Sequence, residues 1–244
     1  MCGRYAITLP PEAVRSYFAF VERPDFPPRY NIAPTQPIPV VAADPPMRGG
    51  SRHFILMRWG FLPSFVKDPK DFPLIVNARA ETLADRPSFR AALKRRRCLV
   101  IADGFYQWRR EAGMDGREHP PPRPYLVRRT SGEPIGFAGL YETWSDPSGG
   151  EIDTACIVTT AANRLAGLLN DRMPAILEPD AFAAWLDVDG VGAARALALV
   201  EPAPEEALEL VEIGAAVNRA ANDDESLQKP VAAPIRAAAS ETLL

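Results

Sequence analysis

The chain opens Met1-Cys2-Gly3-Arg4, and Cys2 is the residue from which the most chemistry follows. Methionine is usually removed when the next side chain is small, which would leave Cys2 at the mature N-terminus. An N-terminal cysteine carries two nucleophiles. Its α-amine titrates near ~7.7–8 and its thiol near ~8.5, so each is partly reactive at neutral pH. The amine attacks an aldehyde to give an imine, and the thiol then closes onto the imine carbon as a five-membered thiazolidine. An internal cysteine cannot do this, because its nitrogen is tied up in a peptide. The amine can also serve as base for its own thiol. Taken alone, the dipeptide reads as well as a chance cysteine on a frayed terminus.

Four later segments add candidates: Tyr30-Asn31-Ile32-Ala33-Pro34, Asn77-Ala78-Arg79-Ala80-Glu81-Thr82, Ala102-Asp103-Gly104-Phe105-Tyr106-Gln107-Trp108 and Asn170-Asp171-Arg172-Met173-Pro174. Asn77 and Arg79 lie two apart, so on an extended segment they share a face. The plainer alternative is an Asx turn with a surface arginine. Glu81 reads as a salt-bridge partner and, alternatively, as a carboxylate available to the site. Asn170-Asp171 could simply cap a helix. The aromatics around Gln107 suit core packing or base stacking.

With Cys2-Gly3-Arg4, these motifs resemble the SRAP family, the SOS-response-associated peptidases that cap abasic sites in single-stranded DNA. The resemblance runs in order from residue 2 to about residue 231. It implies one α+β domain over 1–231, with mostly antiparallel sheets forming an open barrel-like core flanked by helices. Residues 232–244 are expected to be a loose tail. It implies self-removal of Met1 and a thiazolidine crosslink from Cys2 to the ring-opened sugar. Catalytic positions would be Cys2, Asn77, Gln107 and Asn170, with Asn77 on the reacting sugar. DNA would meet Arg4, Asn31, Pro34, Phe65, Arg79 and Arg172, the arginines on phosphate, where a planar fork can bond two oxygens. Phe65 follows Trp59-Gly60 in a segment whose family counterpart wedges against bases at a duplex junction. The partner is abasic single-stranded DNA, met by a monomer, without metal or organic cofactor.

The chain departs from the family at two positions. Gln107 stands where a glutamate is typical and Asn170 where a histidine is typical, the family's acid–base pair. Both carboxamides hydrogen-bond, but neither trades a proton near neutral pH. A positioned acid or base is worth ~10²–10⁴-fold. Crosslink formation should therefore slow, and lyase and reversal steps should suffer more. The two histidines do not substitute: His53 reads as a strand residue and His119 lies in a Pro-rich loop.

Composition limits the alternatives. The chain has 244 residues, 47% of them hydrophobic, enough for a sizeable core. There is no apolar run of membrane-spanning length and no signal-peptide pattern, so the expected location is the cytoplasm, on the nucleoid when DNA-bound. Three cysteines cannot form a fully paired disulfide framework, and no Cys/His spacing suggests zinc. Cys98 and Cys156 read as buried strand residues. A net charge of −3 excludes an all-basic surface. It leaves room for a local basic groove from Arg4, Arg29, Arg79 and Arg172, or from Lys94–Arg97, which reads more plainly as a solvated helix end.

The positioning elements are short. Pro10-Pro11-Glu12 opens a helix with a Val14, Tyr17, Phe18, Val21 stripe. Residues 22–37 look irregular. Strands are expected at 38–43, 52–58, 74–76, 98–102, 125–128, 135–141, 155–160 and 208–213, and helices at 88–96, 162–169, 179–186 and 192–200. Insertions are expected at 45–50 and 111–124. Two other functions remain open. A binding-only relative would recognise DNA without catalysis. An N-terminal-nucleophile glutaminase would share Met-Cys-Gly, but Arg4 and Tyr5 depart from that pattern.

Overall fold

A computed structural model describes residues 2–44, 50–110, 121–146 and 148–237. Three strands, β1 (Tyr5–Ile7), β2 (Arg29–Ile32) and β3 (Pro37–Ala43), are joined by helix α1 (Pro11–Phe18) and a turn. β4 (Arg52–Trp59), β5 (Asn77–Arg79), helix α2 (Pro87–Arg95), β6 (Arg97–Ala102) and β7 (Gly104–Arg109) follow. Then come β8 (Arg123–Arg129), β9 (Ile135–Ser145), β10 (Glu151–Ala161), β11 (Arg172–Pro174) and β12 (Ile176–Leu177). The chain continues through α3 (Phe182–Leu186), α4 (Ala193–Leu197), β13 (Leu208–Glu212) and β14 (Ile235–Arg236).

The fold is α+β with mostly antiparallel pairing, as expected. One sheet has the order β14-β13-β8-β7-β1-β2. In the other, β10, β4, β3, β6 and β9 pair in succession, and β9 pairs back onto β10. That return contact closes a barrel of these strands, so the barrel has no free edge. Cys98 and Cys156 lie inside it, fully buried. A Cβ on Gly139 would sit 2.9 Å from Cys98 Sγ and 3.2 Å from the Cys156 carbonyl oxygen, so only glycine lets these strands approach so closely.

Burial pattern explains the elements. All six residues of β6 are buried, matching an apolar run covered on both faces. Arg97 is the exception in chemistry. Its guanidinium donates to the carbonyls of Leu93, Trp185, Asp187 and Val191, closing the ends of α2 and α3. It is therefore no part of a basic surface run. Helix α1 starts with Pro11 at its first turn and buries Val14 and Phe18. It ends at Ala19 in the left-handed conformation, which leaves Val21 off the stripe and exposed.

Other expectations shift. Residues 22–37 contain β2. The strand expected at 74–76 lies at Asn77–Arg79, pairing in parallel with β10, while Ile75 makes only a bridge to Phe61. The helix expected at 162–169 is a 3-10 turn at Ala166–Leu168, because Asn163 Oδ1 caps Ala166 N at 2.7 Å and turns the chain early. The expected loose tail contains β14, paired to β13 and tied by Arg236 to Glu209 at 2.6 Å. Most of the two expected insertions, His119 and residues 238–244 lie outside the described residues.

Candidate active site

Cys2 is fully buried at the start of the segment leading into β1. Burial pushes its thiol up to about 12, so it is protonated at neutral pH rather than partly ionised. Its Sγ has one weak hydrogen bond, donated to the Arg4 carbonyl at 3.7 Å. Asn77 reaches it from β5: the carboxamide Nδ2 donates to the Cys2 carbonyl at 2.6 Å. Among the described residues Asn77 Oδ1 is buried without a hydrogen-bond partner, and so is the Tyr5 hydroxyl. A buried acceptor without a partner costs ~1–3 kcal/mol, which marks the Cys2–Asn77 corner as unusual.

Asn77 also lines an open cleft of about 390 Å3 with Arg79, Arg86 and Phe89. β5 extends over Asn77–Arg79, and Arg79 is exposed. Neither the Arg79 nor the Arg86 guanidinium has a hydrogen bond or ion pair among the described residues. Arg86 was not found from sequence; its signal would have been a basic residue immediately before a Pro-initiated helix.

Gln107 and Asn170 come together at a second cleft. Both line an open cleft of about 540 Å3 with Trp108, Arg110, Pro122 and Asn218. Gln107 is buried and donates from Nε2 to the Arg172 carbonyl at 3.2 Å. Asn170 Oδ1 accepts from the Arg172 N–H at 3.1 Å. The backbone of one residue therefore fixes both carboxamides. The two groups are linked just before β1, where the Arg4 carbonyl accepts from Tyr106 N at 2.9 Å, next to Gln107.

Three residues expected on DNA have other partners here. Asn31 is fully buried, its side chain spent on Arg4 and on backbone carbonyls of residues 217–222. It presents nothing to a ligand. Arg4 is half-buried and donates to Asn31 Oδ1, the Val217 carbonyl and the Asn218 carbonyl. Arg172 forms a two-pronged ion pair with Glu81, at 2.5 and 3.0 Å, and donates to Thr159 O at 2.6 Å. Hydrogen bonds from Arg172 hold the Glu81 carboxyl below its ordinary value. Glu81 is thus the salt-bridge partner, and an ionised one, so it cannot replace a missing acid. Arg29 is likewise paired, with Asp223 at 2.5 Å.

The remaining candidates lie at the surface. Pro34 is half-buried in the turn between β2 and β3. Phe65 is 62% exposed and meets the edge of Phe72 at 6.4 Å between ring centres. Trp59 is buried and donates to the Val76 carbonyl at 2.9 Å, which seats the segment leading into β5 and Asn77. His53 has the expected structural role, bonded to Glu22 at 2.7 Å and Asp44 at 2.9 Å. No cluster of three metal-ligating side chains occurs among the described residues. No helix among them is long and apolar enough to cross a membrane.

The chain is 33% identical over 230 residues to the abasic site processing protein YoqW of Bacillus subtilis (strain 168), covering 93% of this chain and 98% of that one. It is 31% identical over 247 residues to the abasic site processing protein HMCES of Rattus norvegicus, covering 83% of this chain and 69% of that one. A crystal structure of a Bacteroides thetaiotaomicron protein superposes with a TM-score of 0.78 at 22% identity, over 95% of this chain and all 100% of that one. The family model of SOS response associated peptidases (SRAP) matches residues 1–220. The chain belongs to the SRAP family.

Proposed function

We propose that this protein captures abasic sites in single-stranded DNA through Cys2, after removal of Met1. The observation that carries the reading is the Cys2–Asn77 corner. There a cysteine that can become N-terminal lies under a carboxamide whose Oδ1 is buried and unpartnered.

The chemistry follows from the groups present. The Cys2 α-amine attacks C1′ of the ring-opened sugar, and the aldehyde oxygen becomes a carbinolamine hydroxyl. Loss of water gives the imine. The thiol then adds across C=N: sulfur bonds to carbon and the thiol proton passes to nitrogen. The product is a thiazolidine, formed with net loss of one water. A thiol held protonated suits this order, because the amine acts first. Asn77 Oδ1 accepts a hydrogen from the reacting amine. Arg79 holds a phosphate and Phe65 stacks on a base. Gln107 and Asn170 orient the sugar without carrying protons, so capture persists while lyase and reversal steps are slow. A monomer in the cytoplasm, acting on the nucleoid, fits this chemistry.

The test is adduct formation on a single-stranded oligonucleotide with one abasic site, resolved on a denaturing gel. Wild-type protein should give a shifted band and Cys2→Ala none. Binding without any band would favour a binding-only relative, to which the two carboxamides also point.

A further inference from the structure

The side-chain hydrogen bonds that tie residues 215–228 to the rest of the fold fall on β2, on Arg4 just before β1, and on β7, the strand that carries Gln107. On β2, Asp223 Oδ1 accepts from the N–H groups of Tyr30 and Asn31, at 2.5 and 2.9 Å, and Oδ2 accepts from Arg29 Nε at 2.5 Å. Buried Asn31 directs Nδ2 at the carbonyls of Val217, Arg219 and Asn222, at 3.1, 3.0 and 2.8 Å. Just before β1, Arg4 donates to Asn31 Oδ1 at 2.8 Å and to the Val217 carbonyl at 2.9 Å. On β7, Trp108 Nε1 donates to Asn218 Oδ1 at 2.7 Å, and the Tyr106 hydroxyl accepts from Gln228 at 3.2 Å.

We propose that residues 215–228 are a strap that sets Cys2 against Asn77 and Gln107, with Asp223 as a positioning residue of the Cys2 reaction. The proposal rests on the reading of Cys2 as nucleophile. β1 has three residues, and its pairing with β2 shifts register between Tyr5 and Ile7. The segment Cys2–Arg4 ahead of it is outside any strand. Its backbone is held at the Cys2 carbonyl by Asn77 and at the Arg4 carbonyl by Tyr106 N, and its one side-chain anchor is the Arg4 guanidinium, gripped by Asn31 and the strap. Asp223 fixes β2 under Asn31, and the Trp108 tie places the same strap beside Gln107. A side chain two residues from Cys2 that is locked into protein carbonyls acts on geometry rather than on phosphate. Geometry matters steeply: a displacement of ~1 Å can cost ~10²-fold in rate.

The test compares two quantities for wild type and Asp223→Ala: the adduct-forming rate at saturating abasic DNA, and affinity for undamaged single strand with its salt dependence. The strap predicts a ~10–10²-fold slower adduct step with affinity and salt slope unchanged. Asp223→Asn should recover part of the rate, because an amide oxygen still accepts the two N–H groups while its NH2 loses the bond from Arg29 Nε. A loss confined to affinity, with an altered salt slope, would overturn the proposal, as would no change at all. Should Asp223→Ala fail to fold, Asn218→Ala removes only the Trp108 tie and must slow the adduct step in the same direction. If wild type forms no adduct, Cys2 alkylation by iodoacetamide, followed by peptide mapping, still decides. Loosening the strap must speed it, and unchanged labelling refutes the strap independently of the DNA reaction.

Discussion

Gln107→Glu returns a carboxyl to a buried position, and the structure says what that carboxyl would meet. Gln107 Nε2 donates to the Arg172 carbonyl at 3.2 Å. A carboxylate has no hydrogen to give, so ionisation sets two acceptors against each other. Leaving a buried polar group unsatisfied costs ~1–3 kcal/mol. At ~1.36 kcal/mol per unit, the introduced carboxyl should titrate ~1–2 units above ~4.3, near ~5–6.5. That is a serviceable pKa for a general acid or base. The sign on stability follows. A pKa raised in the folded state means stability is fully retained below ~4.3 and lost as pH rises through ~5–6.5. At pH 8 the variant should melt ~2–12 °C below wild type, and the gap should close toward pH 4. Release of DNA from the purified adduct should speed by up to ~10²–10⁴-fold where proton transfer limits it, with an inflection near ~5–6.5. The paired assays are melting against pH and adduct reversal against pH. A melting difference independent of pH, with no gain in reversal, would refute the buried placement and the proton-carrier argument together.

Removing the Arg79 guanidinium as Arg79→Gln should weaken single-strand binding and lower the log–log salt slope by ~0.7, measured by fluorescence anisotropy; an unchanged slope would mean Arg79 meets no phosphate. Burial raises the Cys2 and Cys156 thiols to about 12 and Cys98 well upward, so their contribution to stability is complete below the ordinary thiol value near 9.0 and lost as pH rises toward about 12. Melting temperature should thus fall steeply above pH ~9, and Cys156→Val should flatten the fall. Hydrogen bonds to Glu22 and Asp44 raise His53 above its ordinary value, so its contribution is full below 6.5 and lost as pH climbs past the raised value. His53→Gln should cost ~1–3 °C at pH 6 and less at pH 9.

The strands with period-two or apolar runs were legible because their side chains report burial directly. β4, β6 and β10 lie where that pattern put them, and Pro10-Pro11 marked the start of α1, while α2 begins one residue before the expected 88, at Pro87. β1 and β7 were missed because motif residues hid them: Gly104-Phe105-Tyr106-Gln107-Trp108 reads as a catalytic patch before it reads as a strand. At the site, Cys2 was read from its own chemistry and Asn77, Gln107 and Asn170 from the family resemblance, and the structure brings Asn77 to Cys2 and Gln107 to Asn170. The arginines were harder. A guanidinium looks the same in sequence whether it awaits a phosphate or is spent on protein. Only the fold shows Arg79 open and Arg4, Arg29 and Arg172 paired. Asn31 misled for the same reason, since three carbonyls that its carboxamide binds lie 186–191 residues away. The strap was not read from sequence; its one local signal would have been the Asn222-Asp223-Asp224 cluster, and nothing local says which backbone that cluster grips.

The most direct test of the account is intact-mass spectrometry of the purified protein after incubation with an abasic single-stranded oligonucleotide, with fragmentation to locate the linkage. The account predicts a chain lacking Met1, and an adduct at Cys2 whose mass equals protein plus DNA less one water, stable without reductant. A linkage at another residue, an adduct seen only after borohydride trapping, or retention of Met1 in the adduct would contradict it.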